Sequence, residues 1–237
     1  MTAKLSYFRN LKTDQLPPIL YFDTSFIVNA LVAGEFFHTE CVDFIGRLAN
    51  LKLKEQPYIV FSELLKTELR CAILSICIRN RFGKDTNIFD RIRANPELLK
   101  EFNSSAELAE KCLLGIMQRF TNWACMPIND KINERASKLV GSYRLGSYDA
   151  IHIATMEDWG VKDIVAFDWG IDELPKYASC FIWTCGEEGR KQKSLKIRGN
   201  ENKVLKINPE IAIVIDAQEI IRSESKEDLA EPDQTNK

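Results

Sequence analysis

Short apolar runs of the kind that form buried strands alternate along this chain with longer segments of helical periodicity. The first run covers 19–23 and ends on Asp23, and further runs lie at 58–61, about 123–128, 163–167 and about 180–184. Strands separated by helices favour a parallel sheet with helices on both faces. We therefore predict a three-layer α/β/α fold around a central parallel sheet of four or five strands.

The segments between these runs carry the helix patterns. The sequence predicts helices over about 24–32, 36–52, 63–80, 104–120 and 130–141, and another from about 148 that ends at Gly160. Hydroxyl side chains favour helix N-caps, so we expect Thr24 or Ser25 to cap the first helix and Ser62 to cap the third. The polar stretch at 81–103 predicts short helices or a mobile insertion.

Composition bounds the class of protein. A chain of 237 residues with a hydrophobic share of 45% fits one domain with appendages. Seven cysteines without a CxxC pair, and only two histidines, give a zinc site little support. The absence of a signal sequence favours a reducing, cytoplasmic location. The longest apolar patch, around 71–78, is far shorter than the roughly 20 residues that cross a membrane.

The character of the chain changes after Gly186. We predict a main domain over 1–186 with a helical insertion near 81–120, and an extension over 187–237 that is basic, then acidic, and partly disordered. Net charge is −2, so any basic surface for nucleic acid must be local. The basic part of the extension either grips phosphates or forms a solvated hairpin; its cations include Arg190, Lys191, Lys193, Lys196 and Arg198.

Four acids have comparable places in the predicted fold. Asp23 and Asp168 each end a strand, Asp149 lies in the first turn of a helix, and Glu68 lies in a helix that follows a strand. In a doubly wound sheet these places can all face one crevice at the carboxyl ends of the strands. They can equally be separate helix caps and surface charges, and spacing alone leaves both interpretations open.

The chemistry of such a cluster is specific if the acids do meet. Crowded carboxylates raise one another's pKa unless a cation lies among them, and oxygen ligands without thiolate or imidazole suit Mg²⁺ or Mn²⁺. These ions support phosphodiester cleavage by activating water. The sequence has no GxSxG, Walker or GxGxxG motif. A phosphatase with an Asp nucleophile needs a second acid two residues after Asp23, where Ser25 stands.

Four segments together resemble the PIN-domain ribonuclease family, and in particular the VapC-type toxins of bacteria. They are Phe-Asp-Thr-Ser at 22–25, Ser-Glu-Leu-Leu-Lys-Thr-Glu-Leu at 62–69, Tyr-Asp-Ala-Ile-His-Ile-Ala at 148–154 and Val-Ala-Phe-Asp at 165–168. The resemblance runs from residue 19 to about 183 and implies a PIN-like fold for this region.

The resemblance implies a metal-dependent endoribonuclease that prefers single-stranded RNA. Asp23, Glu68, Asp149 and Asp168 match the family's acids, which hold one or two Mg²⁺ or Mn²⁺ ions, and Ser25 matches its supporting hydroxyl. By analogy, a metal-bound water attacks the phosphorus in line and leaves a 5′-phosphate and a 3′-hydroxyl. The resemblance also implies the role of a toxin whose partner is an antitoxin protein. It further implies that the protein forms a homodimer.

Several choices remain within this interpretation. The family pattern selects Glu68 over Glu63, and Asp172 is an alternative or a supplement to Asp168. His152 can hydrogen-bond near the site, but we interpret it as a packed core histidine. The insertion and the extension exceed the compact toxin form. The alternative function is a catalytically silent PIN-like module for RNA binding or assembly.

Overall fold

The computed structural model describes residues 4–7, 16–83, 87–143, 145–167 and 181–184, which form six strands and seven helices. The strands are β1 (Lys4–Tyr7), β2 (Ile19–Phe22), β3 (Tyr58–Ser62), β4 (Trp123–Met126), β5 (Asp163–Val165) and β6 (Phe181–Thr184). The helices are α1 (Thr24–Leu31), α2 (His38–Ala49), α3 (Glu63–Phe82), α4 (Ile88–Ala94), α5 (Glu97–Met117), α6 (Asp130–Tyr143) and α7 (Ser147–Asp158).

All six strands pair in parallel, in the order β1-β6-β5-β2-β3-β4. Strand β2 is central, because Tyr21 pairs with Val60 of β3 on one side and with Ile164 of β5 on the other. The chain proceeds from β2 to β3 and β4 in one direction and then crosses to β5 and β6 on the opposite side. Such a reversal opens a crevice at the carboxyl ends of the strands, where ligands bind in open α/β sheets.

The side chains of β2 alternate between two hydrophobic clusters. Leu20 and Phe22 pack with α1, α2, α3 and α5, whereas Tyr21 packs with α6 and α7. Successive strand residues face opposite sides of a sheet, so the two clusters lie on opposite faces. The predicted three-layer α/β/α arrangement with a central parallel sheet is confirmed.

The sheet has six strands, one more than the upper limit of the four or five predicted. Strand β1 pairs with β6, with Lys4 opposite Phe181 and Tyr7 opposite Thr184, whereas the strands predicted from the sequence begin only at residue 19. Its four residues alternate polar and apolar side chains, and so short an alternation does not distinguish an edge strand from a loop.

Helix α5 begins at Glu97, seven residues before the predicted start at Ser104. The capping-box pattern at 104–107 lies inside the helix, where the Ser104 hydroxyl donates to the Lys100 carbonyl oxygen at 3.4 Å. The described part of the stretch at 81–103 therefore contains helix α4 and the start of α5. A capping-box pattern at helical spacing does not itself exclude a helix that began earlier.

Helices α3 and α5 pack against each other, and ion pairs join their exposed sides. Arg70 pairs with Glu110 at 2.9 Å and Arg81 with Glu101 at 2.6 Å. The buried side of α5, which includes Leu113, belongs to the same hydrophobic cluster as Phe22. The helical insertion is thus part of the core on one face of the sheet.

Two further expectations concern the whole chain. None of the helices in the described ranges has the length and apolar character that crossing a bilayer requires. The predicted division of the chain at residue 186 lies outside the described residues and stays a prediction.

The packing of α5 on the core predicts unequal effects at two neighbouring leucines. Leu113 is 1% exposed and Leu114 is 41% exposed. We expect Leu113→Ala to lower the free energy of unfolding by about 2–5 kcal/mol through lost burial and a residual cavity. Leu114→Ala, the matched control, changes it by about 0.5 kcal/mol or less. Denaturant unfolding of both variants measures the difference, and equal effects would contradict the packing of α5.

Candidate functional site

Asp23 follows the last residue of β2 and is held to the neighbouring strand. Its backbone N–H donates to the carbonyl oxygen of Val165 in β5 at 3.1 Å. Its backbone is extended, with φ −83° and ψ 156°, and its carboxylate accepts a hydrogen bond from the N–H of Ser25 at 2.9 Å. Asp23 itself is therefore the N-cap of α1, and the expected caps, Thr24 and Ser25, are helical residues.

Ser25 joins the ends of β2 and β5. Its hydroxyl donates to Oδ2 of Asp23 at 2.5 Å and accepts a hydrogen bond from the N–H of Phe167 at 3.0 Å. A hydroxyl can donate and accept at once, so one side chain fixes both the buried carboxylate and the backbone that leaves β5. This geometry gives Ser25 a direct contact with the first of the predicted acids.

Glu68 reaches the same place from α3. Its Oε2 accepts hydrogen bonds from the hydroxyl of Thr24 and from Nε2 of His152, the latter at 2.7 Å. Its side chain is 15% exposed. Glu63, the other acid of this helix considered in the sequence, is exposed and accepts from the N–H of Ile128 at 3.3 Å. The two acids therefore have different surroundings, and it is Glu68 that lies beside residues of α1 and α7.

His152 of α7 lies between the acids. Its Nε2 is 2.7 Å from Oε2 of Glu68 and 3.7 Å from Oδ1 of Asp23. Its Nδ1 is 2.6 Å from the hydroxyl of Tyr21 and 3.3 Å from that of Ser62. The side chain is 2% exposed, so the expected packed histidine is present. The sequence interpretation also allowed a hydrogen bond near the site, and the structure identifies its partner as the candidate acid Glu68.

The hydroxyl of Ser62 has a different partner from the one that the N-cap pattern predicted. It occupies the predicted N-cap position of α3, but its side chain makes no capping hydrogen bond. Its hydroxyl lies against His152 instead. Tyr21 was likewise overlooked, since a buried tyrosine on a strand gives no sequence signal of its hydrogen-bond partner.

Burial and charge shift the proton affinities of this group. Burial raises the pKa of Asp23, and the negative charge of Glu68 adds to this effect, while His152 and the hydrogen bonds from Ser25 act against it. Burial lowers the pKa of His152, but the hydrogen bond to Glu68 and the charges of Asp23, Glu68 and Asp149 outweigh it, so this pKa lies above its usual value. Burial also raises the pKa of the Tyr21 phenol.

Asp149 lies in the first turn of α7, one turn before His152. It is half-buried, and its negative charge contributes to the raised pKa of His152. Its carboxylate folds back over Gly146, where a Cβ atom would lie 2.9 Å from Oδ2. A side chain at 146 would therefore require the Asp149 carboxylate to move from this position. The structure thus brings Asp23 and Glu68 to one imidazole, with a third predicted acid, Asp149, one turn before it on the same helix.

The remaining predicted residues lie outside the described part of the chain. These are Asp168 and Asp172, and the basic residues Arg190, Lys191, Lys193, Lys196 and Arg198. Phe167 is the last described residue before Asp168, and its N–H is held by Ser25.

The donor set bears on whether a metal ion fits here. Within the described ranges, no group of three or more His, Cys, Asp or Glu side chains has the arrangement of a metal site. Asp23 and Glu68 nevertheless supply carboxylate oxygens, which hard divalent cations prefer. Glu68 raises the pKa of Asp23, and a cation between such groups would relieve this repulsion. The chemistry of the pair therefore fits a cation.

The contacts of His152 predict how its pKa responds to loss of each acid. Glu68→Gln removes the hydrogen-bonded carboxylate, so we expect it to lower the pKa of His152. Asp149→Asn removes a smaller contribution and should lower it less. NMR titration of the imidazole protons measures both shifts, and His38→Gln identifies the signal because the chain has 2 histidines.

The matched control for this titration is Glu134→Gln, which removes an exposed acid of α6 that pairs with Lys138. This change should leave the pKa of His152 as it is. An unchanged pKa in Glu68→Gln would contradict the arrangement around His152.

Comparison with known proteins identifies the family. The family model for the PIN domain matches residues 20–177. No curated protein matches the chain. Among solved structures, VapC20 of Mycobacterium tuberculosis, a sarcin–ricin loop cleaving toxin, is 15% identical, with 67% of this chain and 95% of that chain covered and a TM-score of 0.43.

VapBC2 of Rickettsia felis, in complex with a DNA fragment from its promoter, is a second similar structure. It is 10% identical, with 70% of this chain and 98% of that chain covered and a TM-score of 0.43. The family match spans well over half of the chain, from β2 past β5, and includes each acid of the candidate site. The chain belongs to the PIN-domain family.

Proposed function

We propose that this protein is a metal-dependent endoribonuclease that hydrolyses phosphodiester bonds of single-stranded RNA. The observation that carries the proposal is the meeting of Asp23 and Glu68 at one nitrogen of His152, at the carboxyl ends of the central strands. Asp23 follows strand β2 and Glu68 lies in helix α3, and the PIN-domain match includes both. Separate helix caps and surface charges would have no reason to meet in this way.

The proposed cofactor is Mg²⁺ or Mn²⁺, and the proposed ligands are Asp23, Glu68, Asp149 and Asp168. When bound, such an ion activates water and stabilises negative charge on the oxygens of the scissile phosphate. Oxygen-only ligands suit both ions. Asp172 is proposed to supplement or replace Asp168, which directly follows the segment held by Ser25.

The contribution of the protein itself is positioning. Ser25 holds Oδ2 of Asp23 with two hydrogen bonds, and Thr24 and His152 hold Oε2 of Glu68. A group fixed before the reaction loses no free energy to reorganisation during it, which is the main advantage of a preorganised site. The α1 N-terminus adds partial positive charge beside Asp23, which favours its ionised, metal-binding form.

Substrate binding is proposed to involve the basic segment after Gly186. Arg190, Lys191, Lys193, Lys196 and Arg198 are its candidate phosphate contacts. Binding through phosphates weakens as salt concentration rises, because neutralised phosphates release their counterions. The net charge of −2 is consistent with a local basic segment rather than a basic surface over the whole molecule.

The biological role proposed by family resemblance is that of a cytoplasmic toxin whose partner is an antitoxin protein, with a homodimer as the assembly. The alternative is a catalytically silent PIN-like module that binds RNA or serves assembly. The carboxylate pair favours the enzyme, since Glu68 raises the pKa of the buried Asp23 and a purely structural module gains nothing from this repulsion.

Cleavage of RNA should depend on both the acids and the metal. We expect the protein to cleave single-stranded RNA with Mn²⁺ and to stop when a chelator is added. Asp23→Asn and Asp149→Asn should each lower the rate by about 100-fold or more, equivalent to about 2.7 kcal/mol of transition-state stabilisation. The measurement is the initial rate on a labelled oligonucleotide resolved by gel electrophoresis.

Asp130→Asn is the control for this experiment, because Asp130 is an exposed acid in the first turn of α6. It should cleave like the wild type. Activity that survives both site substitutions would contradict the assignment of these acids to the active site. If the wild type binds RNA without cleaving it, the catalytically silent module is favoured instead.

Metal binding should also be visible without any substrate. At a Mn²⁺ concentration 100 times Kd, the wild type should gain about 2.7 kcal/mol in its free energy of unfolding. Asn caps helices as well as Asp does, so metal-free Asp23→Asn should stay within about 1 kcal/mol of the wild type and gain nothing from Mn²⁺. Thermal unfolding with and without Mn²⁺ measures this, and an equal gain in the variant would contradict the assignment of Asp23.

A further inference from the structure

Tyr21 is a polar side chain in an apolar place. It is 0% exposed and belongs to the hydrophobic cluster between β2, β3 and helices α6 and α7. A phenylalanine would fill the same space without a hydroxyl to satisfy, and a buried hydroxyl is costly unless it is hydrogen-bonded. The hydroxyl of Tyr21 lies 2.6 Å from Nδ1 of His152, and the two rings meet edge to face at 5.7 Å.

The surroundings of His152 define which of its nitrogens carries a proton. Nε2 faces Oε2 of Glu68 and Oδ1 of Asp23, which are acceptors, so the hydrogen-bond network assigns the proton to Nε2. Nδ1 faces the hydroxyls of Tyr21 and Ser62. Because a hydroxyl can both donate and accept, Tyr21 can bond to Nδ1 whether or not that nitrogen carries a proton. The phenol therefore fixes the ring in one orientation.

The orientation of the ring determines the orientation of Glu68. Both hydrogen bonds described for this carboxylate, from Thr24 and from His152, end on Oε2. Those described for Asp23 end on Oδ2, from the N–H and hydroxyl of Ser25. Each acid thus has one oxygen engaged by short hydrogen bonds, and its second oxygen, which for Asp23 lies 3.7 Å from Nε2 of His152, is the natural donor to a cation.

We infer that Tyr21 is a positioning residue, whose hydroxyl acts through His152 to hold the Glu68 carboxylate in the orientation that binds the metal ion. The inference rests on the proposed function. Groups that orient metal ligands through hydrogen bonds typically change metal affinity by about 10- to 100-fold when they are removed. Ser62, at the longer distance of 3.3 Å, is the weaker of the two hydroxyl contacts.

The test removes only the hydroxyl. Tyr21→Phe keeps the ring, and Tyr58→Phe is the matched control, because Tyr58 lies on β3 and is 40% exposed. Isothermal titration of the full chain with Mn²⁺ should give a Kd about 10- to 100-fold higher for Tyr21→Phe. The control should match the wild type. Thermal unfolding of the metal-free proteins verifies that both variants are folded.

A second readout needs no metal. The ¹⁵N resonance of Nδ1 of His152 should shift in metal-free Tyr21→Phe, because this nitrogen loses its nearest partner. Tyr58→Phe should leave the resonance in place. A residue that only fills space would change neither the resonance nor the Kd when its hydroxyl is removed.

A double-mutant cycle tests whether Tyr21 acts through His152. In a His152→Gln background, Tyr21→Phe should cause no further rise in Kd, since the intermediate group is gone. Additive effects of the two substitutions would overturn the inference. Equal Mn²⁺ binding by Tyr21→Phe and the wild type would overturn the positioning role alone, whereas a wild type that binds no Mn²⁺ would overturn the proposed function with it.

Discussion

A carboxylate buried at the end of a central strand costs free energy unless hydrogen-bond donors or favourable charge surround it, and the structure places hydrogen-bond donors, a helix N-terminus and an imidazole around Asp23. Ser25 donates twice to its Oδ2, the N-terminus of α1 adds its dipole, and His152 lies 3.7 Å from its Oδ1. Each of these partners is in turn held by another element, Ser25 by the backbone after β5 and His152 by Tyr21. The hydrogen bonds and contacts around one buried carboxylate thus join α1, α7, β2 and β5.

The α3–α5 pair shows how the periphery supports this arrangement. Glu68 reaches the crevice because α3 starts directly after β3, the neighbour of β2. Helix α5 packs against α3 and places Leu113 and Ile116 in the core. The insertion therefore packs against the helix that carries Glu68 and helps to hold it in place.

Much of the fold was predictable, because buried parallel strands are continuous apolar runs and their ends mark one edge of the sheet. The same logic allowed Asp23, Glu68 and Asp149 to share that edge, but it left separate helix caps and surface charges as an equal alternative, and only the family resemblance grouped these acids. The role of His152 was not predictable. Helix α7 buries Ala150, Ile153, Ala154 and Thr155 as well as His152, so its sequence has no polar and apolar face from which the direction of the imidazole can be derived. Local patterns were also insufficient at Ser62 and Ser104, whose hydroxyls have partners that a cap rule does not anticipate.

The central position of β2 affects the order in which the crevice forms during folding. Ser25 and Phe167, which join the ends of β2 and β5, are 142 residues apart in sequence. Contacts over such a separation form only after the chain entropy of a long loop has been lost. On the ribosome, Asp23 and Glu68 emerge well before His152 and β5, so a nascent chain holds the acids without their common partner. In a protein assembled in this order, the crevice is complete only after β5 has been synthesised.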